Sequence, residues 1–541
     1  MITRLCAPIR RLAVVAGLPL VLLFSTAVPA MADSASAGAD VMVAQTLGDR
    51  ELTVVLRRVT SVPGPLSVDI ITHTGTAPGG LALAVTPTGT TSAAPGSSAP
   101  GTPTAEATVE LGAQAGSYSA TVPVDRPGPW ELAIGDGQRT ARIPFAVTTQ
   151  VISPPERLTY GGLITAGALL LVSGVLAARA RRAGWALVPA GAALAGLSAA
   201  VTAALLSSSL PLPPQPGSQI DPSVDNVSDP YALNKPLITD YSRPPVTLTL
   251  QSSAVVAGNP ADVDLELTDG STGLPVDDLL VHDDALIHLL VIGPTGQLWH
   301  LHPIRTAPGR YQQHLRLPAP GHYAVSAEMV RRGGGVQRVR AATGLTAIAA
   351  SRPDALATGA AANPIHLGNG SLAVTTPVGA TSVSLTTTQP VADTPVTVAA
   401  RVGDTADLQL WLGMVGHMIV AGPLPPTNTN DIGTAVQSAP VWAHTHSMGG
   451  MPASDHSMAG MTMTNSTGTV DNSMIAMNPV NGDSAPDETV AGYGPDVPFT
   501  FTFPVAGQYR LWVQVERDYT LLTIPVVIDV VDGSAMQGMQ P

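Results

Sequence analysis

The chain has 541 residues, which is longer than one hydrophobic core usually serves and predicts about three or four domains. Its 53 glycines and 50 prolines, with only 4% aromatic residues, favour small β-rich modules joined by linkers and are not typical of helical bundles or of an enzyme-sized α/β domain. The net charge of −13 disfavours nucleic acid as a partner and suits a protein that meets cations, although the same charge also serves solubility.

The N-terminus has the features of a secretory signal peptide, predicted over residues 1–32. Three arginines precede an apolar run over residues 12–24, and small residues at Ala30 and Ala32 form a cleavage site. Cleavage would remove those three basic residues and no acidic one, which leaves 23 basic against 39 acidic side chains and a net charge of −16. It would also remove Cys6, the only cysteine, so the mature chain would offer no thiolate and any soft metal ligand must be methionine.

Residues 41–150 are predicted to form a small extracytoplasmic β-sandwich. Short apolar runs indicate strands, and a stretch rich in Ser, Pro, Gly and Thr over residues 87–105 interrupts them as a long loop. The closing segment GSYSATVPVDRPGPWELAI, residues 116–134, resembles the last strands of YtkA-like and CopC-like exported domains, in which a Gly-x-Tyr strand leads to a Pro-Gly-Trp strand. His73 is the single histidine of this region, and alone it is expected to be a surface or packed residue and not a ligand.

Two apolar segments, residues 158–178 and 185–206, are predicted to form a transmembrane hairpin. Each would reach about 32 Å as a helix, enough to cross a hydrocarbon core of about 30 Å. The connector between them carries Arg179, Arg181 and Arg182, so it is expected to face the cytoplasm and both flanking regions to face outward. For the second segment, which is rich in alanine and contains a proline, a buried or interfacial helix is the alternative.

A linker rich in Pro, Asp, Asn and Ser is predicted over residues 207–243, and beyond it the chain repeats itself. Two homologous β-sandwiches are predicted, over residues 244–350 and 365–531. Both contain His-x-x-Val-x-Gly-Pro, then Trp with His-x-His, then a Pro-x-x-Gly-x-Tyr turn before the last strands. The chain is therefore predicted to be mainly β, with three immunoglobulin-like β-sandwich domains and a two-helix transmembrane hairpin.

The repeated histidines are candidate metal ligands. In a strand, residues two apart point to the same face about 6.5 to 7 Å apart, so both histidines of a His-x-His pair can reach one ion. A third histidine, on the apolar strand before each pair, would complete each site. The candidates are His288, His300 and His302 in the first repeat and His417, His444 and His446 in the second. One such histidine alone would be read as a packed core residue, but recurrence of all three in both copies favours metal binding.

The second repeat also has a Met- and His-rich insertion, predicted over residues 444–480. Two near-repeats, HSMGGM and HSMAGM, place methionines among Gly, Ser, Asp and Pro, whereas methionine usually fills apolar cores. The candidate ligands are His456, Met448, Met451, Met458, Met461 and Met463, and Met474 and Met477 continue the pattern. Thioethers select Cu(I) and imidazoles accept Cu(II), zinc or nickel, so the loop would hold both copper states. A low-complexity loop with accidental methionines is the alternative.

The repeat resembles a group of exported bacterial domains in copper- and heavy-metal-handling proteins. Their pattern is Gly-His-hydrophobic-Val, then Trp or Phe near His-x-His-Pro, then Gly-x-Tyr, and it covers residues 244–531 here. The Met-rich hexads also resemble those of copper-resistance oxidases and periplasmic copper chaperones. The first copy keeps Pro303 after its His-x-His pair, whereas the second has Ser447 and then the insertion, which puts the geometry of the second site in doubt. The resemblance implies metal binding.

The predicted function is a membrane-anchored extracytoplasmic metal-binding protein, for copper binding, chaperoning or tolerance, with His-x-His sites for Cu(II) and a Met-rich loop for Cu(I). Copper is the expected metal, and zinc is the other ion that the ligands accept. The expected location is the cell membrane, with the large domains on the extracytoplasmic side. The expected partners are the membrane, through the two-helix anchor, and a protein that donates or accepts copper; nucleic acid is not expected.

Two other functions compete with this interpretation. Multicopper oxidases also contain His-x-His pairs, but they need a cysteine that the mature chain would lack, and we find no triad, phosphate loop or paired-carboxylate signature. The chain is therefore not expected to be an enzyme. The second alternative is a cell-surface adhesion or scaffold protein made of immunoglobulin-like domains, in which the histidines would be incidental.

Overall fold

The structure of the chain is a computed structural model. It describes residues 40–57, 59, 62–88, 101–147, 154–179, 182–207, 245–251, 254–331, 335–350, 363–425, 431–447 and 488–533. The predicted signal peptide, the linker beyond Ser207, and His456 with the methionines of the insertion all lie outside the described residues. The described chain is mainly β, with sandwiches in three regions and a two-helix hairpin after the first, which confirms the predicted fold class.

The N-terminal sandwich is built from strands whose side chains alternate between core and solvent. Its strands are β1 (Val41–Leu47), β2 (Arg50–Leu56), β3 (Gly64–Thr72), β4 (Gly79–Pro87), β5 (Ala105–Leu111), β6 (Gly116–Val124), β7 (Gly128–Gly135) and β8 (Thr140–Val147). Within residues 40–147 they form two four-stranded sheets, in the orders β1-β2-β3-β6 and β5-β4-β7-β8. On β7, Trp130, Leu132 and Ile134 are buried between the sheets while their neighbours are partly exposed, as a period of two requires.

Two helices, α1 (Pro154–Arg179) and α2 (Leu187–Ser207), pack against each other as a hairpin joined by the 3₁₀ turn Ala183–Ala186. The helices touch at Gly162, where a Cβ atom would lie 2.7 Å from the carbonyl oxygen of Gly196. Pro189 lies in the first turn of α2, where its missing N–H costs no helical hydrogen bond.

Both helices of the hairpin are long and apolar enough to cross a membrane. Their large apolar side chains face outward, and Leu171 on α1 and Leu205 on α2 are 67% and 73% exposed. Such a surface is compatible with a membrane anchor. It also means that α2 is not a helix buried in the core of a sandwich, one of the two alternatives for this segment.

The first repeat pairs a large sheet with a small one. Its strands are β9 (Val246–Leu250), β10 (Ala254–Val256), β11 (Pro260–Asp269), β12 (Leu279–Leu280), β13 (His288–Ile292), β14 (Leu298–Leu301), β15 (Ile304–Ala307), β16 (Arg310–Arg316), β17 (Gly321–Arg331), β18 (Gly335–Arg340) and β19 (Leu345–Ile348). Within the described part of 245–350, the large sheet has the order β10-β19-β17-β13-β14, with β12 and β18 also paired to β17, and the small sheet is β15-β16-β11-β9.

The second repeat has the same plan with one added helix. Its elements are β20 (Ile365–Leu367), β21 (Ala373–Val378), β22 (Thr381–Thr387), β23 (Pro395–Val402), β24 (Leu408–Gln409), β25 (Gly416–Leu424), α3 (Ile432–Gln437), β26 (Val441–Ser447), β27 (Asp496–Thr502), β28 (Gly507–Arg517) and β29 (Thr520–Val530). In the described part of 363–533, the large sheet is β20-β29-β28-β25-β26 with β24 on β28, and the small sheet is β21-β22-β23-β27.

The large sheets of the two repeats pack face to face. On β13, Leu289 and Val291 point into the core of the first repeat, whereas Leu290 and Ile292 point out of it. The outward side chains join a separate apolar cluster with Trp512 and other residues of the second repeat. The strand is buried on both faces, which explains why its sequence is continuously apolar and does not alternate.

Candidate metal centre where the three sandwiches meet

Strand alternation places the predicted histidines at the junction between the repeats. His288 has the parity of Leu290 and Ile292 on β13, so its side chain points out of its own core and toward the second repeat. His417 has the same relation to Ile419 on β25. Both histidines are fully buried. Each His-x-His pair lies on the neighbouring strand of the same sheet and therefore beside the first histidine. In the first repeat this strand is β14, which His302 follows directly, and in the second repeat it is β26.

In the first repeat, two histidine rings are held with their nitrogens facing each other. His288 Nε2 donates to the carbonyl oxygen of His282 at 2.9 Å. His288 Nδ1 lies 3.1 Å from His300 Nε2. The other ring nitrogen of His300, Nδ1, lies 3.0 Å from Gln514 Oε1 in the second repeat. The amide of Gln514 is oriented by its own bond, since its NH₂ group donates to Thr523 Oγ1 at 3.0 Å.

The second repeat reproduces this arrangement. His417 Nε2 donates to the carbonyl oxygen of Trp411 at 2.9 Å, and His417 Nδ1 lies 3.0 Å from His444 Nε2. The other ring nitrogen of His444, Nδ1, lies 3.5 Å from Glu328 Oε1 in the first repeat. Glu328 occupies on β17 the place that Gln514 occupies on β28, because each pairs with the first histidine of its repeat. The two repeats thus exchange the groups that approach their middle histidines.

The turn before each first histidine has the same unusual backbone in both repeats. Asp283 and Asp284 have φ of 45° and 55°, and the equivalent Leu412 and Gly413 have φ of 53° and 71°. Two successive residues with positive φ are typical of a tight type I′ turn. Glycine adopts this conformation most easily, and β-branched residues adopt it least easily. The turn brings the carbonyl oxygen six residues upstream back to the histidine ring, where it accepts the Nε2 hydrogen.

The third histidine of each repeat has a buried ring nitrogen without a hydrogen-bond partner. His302 donates Nδ1–H to the carboxylate of Glu51 in the N-terminal sandwich, and its Nε2 has no hydrogen-bond partner among the described residues. His446 Nε2 likewise makes no hydrogen bond in the described part of the chain and lies 3.5 Å from Asp283 Oδ2. A buried ring nitrogen of this kind is a candidate ligand atom.

Burial keeps the imidazoles neutral. It lowers the pKa of His288, His417 and His446 to about 3, and it lowers the pKa of His300 and His444 well below the ordinary 6.5; neighbouring histidines add to the effect for all of these rings. In a neutral imidazole, one ring nitrogen carries a hydrogen and the other carries a lone pair. The nitrogen that faces a hydrogen-bond acceptor carries the hydrogen.

The hydrogen bonds leave lone pairs facing each other within each pair. His288 carries its hydrogen on Nε2 and His300 carries it on Nδ1, because each of these atoms faces an oxygen that can only accept. The two remaining nitrogens, 3.1 Å apart, are then both unprotonated. In the second repeat, His417 Nδ1 is unprotonated for the same reason. His444 Nδ1 makes no hydrogen bond to a described residue, but the ionised carboxylate of Glu328 at 3.5 Å favours the hydrogen of His444 on that nitrogen. Facing lone pairs repel each other unless a cation lies between them.

Buried carboxylates surround the histidines. Burial raises the pKa of Asp283 to about 6 and raises that of Asp284 well above its ordinary range. Glu328 stays ionised, because Arg338 outweighs the effect of burial and lowers the pKa of the carboxyl group. With the carboxylate of Glu51 on His302, the surroundings of the neutral imidazoles carry an excess of acidic groups. Such surroundings favour a bound cation.

The structure brings six of the predicted ligands into one cluster, where the sequence predicted a separate site in each repeat. Rings of the two repeats are in contact, and the centroids of His300 and His444 lie 5.1 Å apart. The nitrogens of His288, His300 and His444 lie within 4.8 Å of one another, as do those of His417, His444 and His446. The two triads lie against each other because each points out of its own sandwich and toward the other repeat. His456, Met448, Met451, Met458, Met461 and Met463 lie outside the described residues.

Sequence reasoning missed the residues that hold the histidines. These are Glu51, His282, Asp283, Glu328, Trp411 and Gln514. Only the pair Glu328 and Gln514 carried a signal, since both follow the Gly-x-Tyr turn at the same distance in the two copies. His73, expected to be a surface or packed residue, is packed: its Nδ1 lies 2.6 Å from Glu516 Oε1 of the second repeat.

Comparisons with known proteins give one family match. Residues 479–532, which include β27, β28 and β29, match the model of a domain of unknown function, DUF8832. No curated protein matches the chain.

Solved structures with similarity to the chain include cell-surface proteins. FdeC, an Escherichia coli adhesin, is 11% identical, with coverage of 92% of this chain and 98% of that one and a TM-score of 0.13. A putative membrane-anchored protein from Corynebacterium diphtheriae is 9% identical, with coverage of 89% and 92% and a TM-score of 0.14. Invasin, a bacterial integrin-binding protein, is 9% identical, with coverage of 91% and 60% and a TM-score of 0.14.

Proposed function

We propose that this chain is a membrane-anchored extracytoplasmic protein whose sandwiches enclose a binding site for a transition-metal cation, with copper as the metal. One observation carries the proposal: two pairs of buried ring nitrogens face each other at 3.1 and 3.0 Å, and the acceptors beside the other nitrogens of these rings favour lone pairs on the facing ones. Two nitrogens bound to one tetrahedral ion at about 2.0 to 2.1 Å would be about 3.3 Å apart, close to both distances.

In each histidine of the cluster, the ring nitrogen that points away from the other cluster histidines is here called the outer nitrogen. The contacts of the outer nitrogens support the same function. Histidines that bind a metal nearly always donate their other N–H to a carbonyl or carboxylate, which fixes the ring and its tautomer. Here the partners of the outer nitrogens are the carbonyls of His282 and Trp411, the amide of Gln514 and the carboxylate of Glu51. These partners fix the rings and direct their other nitrogens into the cluster.

The donor set favours copper or zinc over magnesium or calcium. Imidazole nitrogens without thiolates suit Cu(II), zinc and nickel, and Cu(II) has the highest affinity of these ions. The chain's own contribution is to hold neutral imidazoles, to supply nearby carboxylates that offset the positive charge, and to limit the access of water to a cluster in which five histidines are buried and His446 is partly exposed. Storage or transfer of copper follows from such a site, and the Met-rich insertion would serve Cu(I).

The orientation of the chain in the membrane is part of the proposal. The connector of the hairpin carries the basic residues, so we place it in the cytoplasm and the sandwiches outside. Cysteines introduced at Ser98 and Ser253 should react with an impermeant thiol reagent in intact cells, and a cysteine at Ala183 should not. Reaction of Ala183 alone would reverse the orientation.

Metal titration of the purified full-length chain tests the function. The metal-free protein in detergent is exposed to Cu(II), zinc or nickel, and bound metal is measured after desalting. We expect copper to bind and to raise the unfolding temperature, since a ligand that binds only the folded state stabilises it. His288→Gln combined with His417→Gln should abolish binding by the cluster. The exposed His366→Gln is the matched control and should change neither quantity.

The adhesion or scaffold alternative makes the opposite prediction. It is the function that the named similar structures suggest, and in it the histidines only pack the junction between the repeats. Wild-type protein would then bind no more metal than the variant His288→Gln with His417→Gln, and its unfolding temperature would not respond to copper. That result would leave a membrane-anchored scaffold as the function.

A further inference from the structure

On the basis of the proposed metal binding, we infer that the histidine cluster is a two-ion centre, with one ion held by each repeat and the two ions close enough to interact. Three observations on the described residues lead to two ions instead of one: the cluster consists of two equivalent halves, each half has its own third histidine, and each half has its own acidic group.

The halves share the same bonds at their first histidines and the same contact with their middle histidines. In each, the first histidine donates Nε2–H to a carbonyl six residues upstream, and its Nδ1 faces the Nε2 atom of the middle histidine. Each pair therefore presents its own two lone pairs at a distance of 3.0 or 3.1 Å. His444 of the second half also offers a nitrogen within 4.8 Å of those of His288 and His300, so the alternative is one ion shared between the halves, which the copper count below tests.

Each pair also has a third imidazole beside it. The ring of His302 lies 5.4 Å from that of His288 and 5.2 Å from that of His300, measured between centroids. The ring of His446 lies 4.9 Å from that of His417 and 4.4 Å from that of His444. The Nε2 atoms of His302 and His446 have no hydrogen-bond partner among the described residues. Three imidazoles per ion form a donor set that proteins use for zinc and copper and that leaves a further position open.

Acidic side chains lie beside the histidines of both halves. The carboxylate of Glu51 contacts the outer nitrogen of His302 in the first half. In the second half, Glu328 Oε1 approaches His444 Nδ1 and Asp283 Oδ2 approaches His446 Nε2, both at 3.5 Å. Two dications close together repel each other strongly, and acidic groups around both halves offset that repulsion.

The halves are in direct contact, so two ions would not be independent. The ring centroids of His288 and His444 lie 5.5 Å apart, and those of His300 and His417 lie 5.8 Å apart. Unpaired electrons on two Cu(II) ions held by touching rings would couple, and the first ion would change the affinity for the second.

The test combines copper content with the shape of the Cu(II) electron paramagnetic resonance spectrum, including the half-field region where only coupled pairs of ions give a signal. Metal-free full-length protein is loaded with Cu(II), desalted and measured, and the same is done for three variants. The first-half variant is His288→Gln with His300→Gln, the second-half variant is His417→Gln with His444→Gln, and the third combines all four changes. The copper that the wild type binds and the combined variant does not bind is the copper of the cluster. His366→Gln is the control for surface binding.

We expect the cluster to hold two copper ions per chain in the wild type, with a spectrum broadened by dipolar interaction and a half-field signal from the ion pair. Each half-variant should keep one ion and show the spectrum of isolated Cu(II), without the half-field signal. One ion in the wild type, lost in either half-variant, would overturn the two-ion centre and leave the proposed function intact. Equal copper content in all four proteins would refute the proposed function itself. Because the half-field signal of the wild type needs no variant, misfolding of a variant does not prevent the decision.

Discussion

The function of a buried histidine is set by the acceptor on its outer nitrogen. His288 and His302 are both buried, yet one donates to a backbone carbonyl and the other to the carboxylate of Glu51. A carboxylate increases the electron density of the ring and fixes its orientation, and removal of such a partner typically weakens metal binding about 10- to 100-fold. Thr46 adds to this contact, since its hydroxyl donates to Glu51 at 2.7 Å and accepts the backbone N–H of His302 at 2.8 Å.

Replacement Glu51→Gln should therefore lower the Cu(II) affinity of the full-length chain by about 10- to 100-fold without loss of the fold. The amide keeps the size and an acceptor oxygen but removes the charge. Affinity would be measured by competition with a chelator, and folding by circular dichroism. Glu106→Gln, an exposed carboxylate on β5 of the same sandwich, is the control and should leave the affinity unchanged. Equal affinities for both variants would mean that His302 is not a ligand.

The methionines of the insertion give a second prediction at the scale of residues. Thioethers do not titrate in the physiological range, whereas imidazoles must lose a proton to bind metal, so Cu(I) on the methionines should survive acidification to pH 5. Replacement of Met448, Met451, Met458, Met461 and Met463 by leucine keeps volume and apolarity and removes sulfur. Competition with a Cu(I) chelator should show a large loss of affinity at pH 5. Leucine at Met536 and Met539 is the control, and the same result in both proteins would leave the insertion without a cuprous role.

At the scale of elements, the helix α3 joins the repeats. In the first repeat a short turn connects β13 to β14, whereas the second repeat has α3 between β25 and β26. The helix begins with Asp431 as its N-cap, whose carboxylate accepts the N–H of Thr434 at 3.0 Å. The N–H of Ile432 donates to the carbonyl of Pro294 at 2.8 Å, and Gln437 Nε2 donates to the carbonyl of Ala341 at 2.8 Å. The helix α3 thus fixes the distance between the sheets that carry the histidines.

Gly433 is the closest point of this contact, and Gly433→Ala should separate the repeats. A Cβ atom there would lie 2.0 Å from the carbonyl oxygen of His322, which is backbone and cannot move aside cheaply. We expect a loss of about 1 to 3 kcal/mol in stability together with weaker copper binding. Thermal unfolding and copper titration would measure the two effects. Gly492→Ala, which meets only a side chain at 3.8 Å, should be neutral, and unchanged copper binding in Gly433→Ala would separate α3 from the site.

At the scale of the whole molecule, the N-terminal sandwich covers the cluster from a third side. The N–H of Ala44 donates to the carbonyl of Asp284 at 2.6 Å, and the N–H of Thr74 donates to the carbonyl of Tyr519 at 2.7 Å. Ala44 also packs against Trp411 and Leu412 of the second repeat. This docking seals the junction through contacts with both repeats and joins regions that lie on either side of the membrane hairpin in the sequence.

Docking of this sandwich should weaken at alkaline pH. Burial opposes the charge of His73, but Glu516, Glu488 and Glu51 outweigh it and raise the pKa of His73 to about 9, and burial raises the pKa of Glu488 to about 7. A raised pKa stabilises the folded state below the ordinary pKa, and that stability is lost as the pH rises through the raised value. For His73 the loss falls between about 6.5 and 9, and for Glu488 between about 4.5 and 7. The five cluster histidines whose pKa is lowered, His288, His300, His417, His444 and His446, lose stability only toward acid.

Hydrogen exchange at the amides of Ala44 and Thr74 would follow the docking directly, because both amides donate to carbonyls across the junction. In the metal-free protein, protection corrected for the intrinsic pH dependence should fall between pH 6.5 and 9. His73→Gln should remove most of this change, since it removes the titrating group. Constant protection over this range in the wild type would show that the ion pair between His73 and Glu516 does not hold the sandwich in place.

Local patterns in the sequence determined the elements and the ligand types. The mainly β fold and the apolar hairpin follow from periodicity and composition, because these depend on neighbours along the chain. The repetition of His-x-His with an upstream histidine also selected the six side chains that meet in the structure. The alternation of side chains along the strand could not show where these histidines point. His288 is followed by an unbroken apolar run, because both faces of β13 are buried.

Only the tertiary structure decided that the two triads form one cluster and that a third sandwich closes it. Glu51 and His302 are separated by 251 positions, and His300 and Gln514 by 214. Contacts at such separations depend on how whole sheets dock, through the fit of their apolar faces and the backbone bonds at their edges. No short sequence pattern encodes that fit, because each apolar residue satisfies many possible partners equally well.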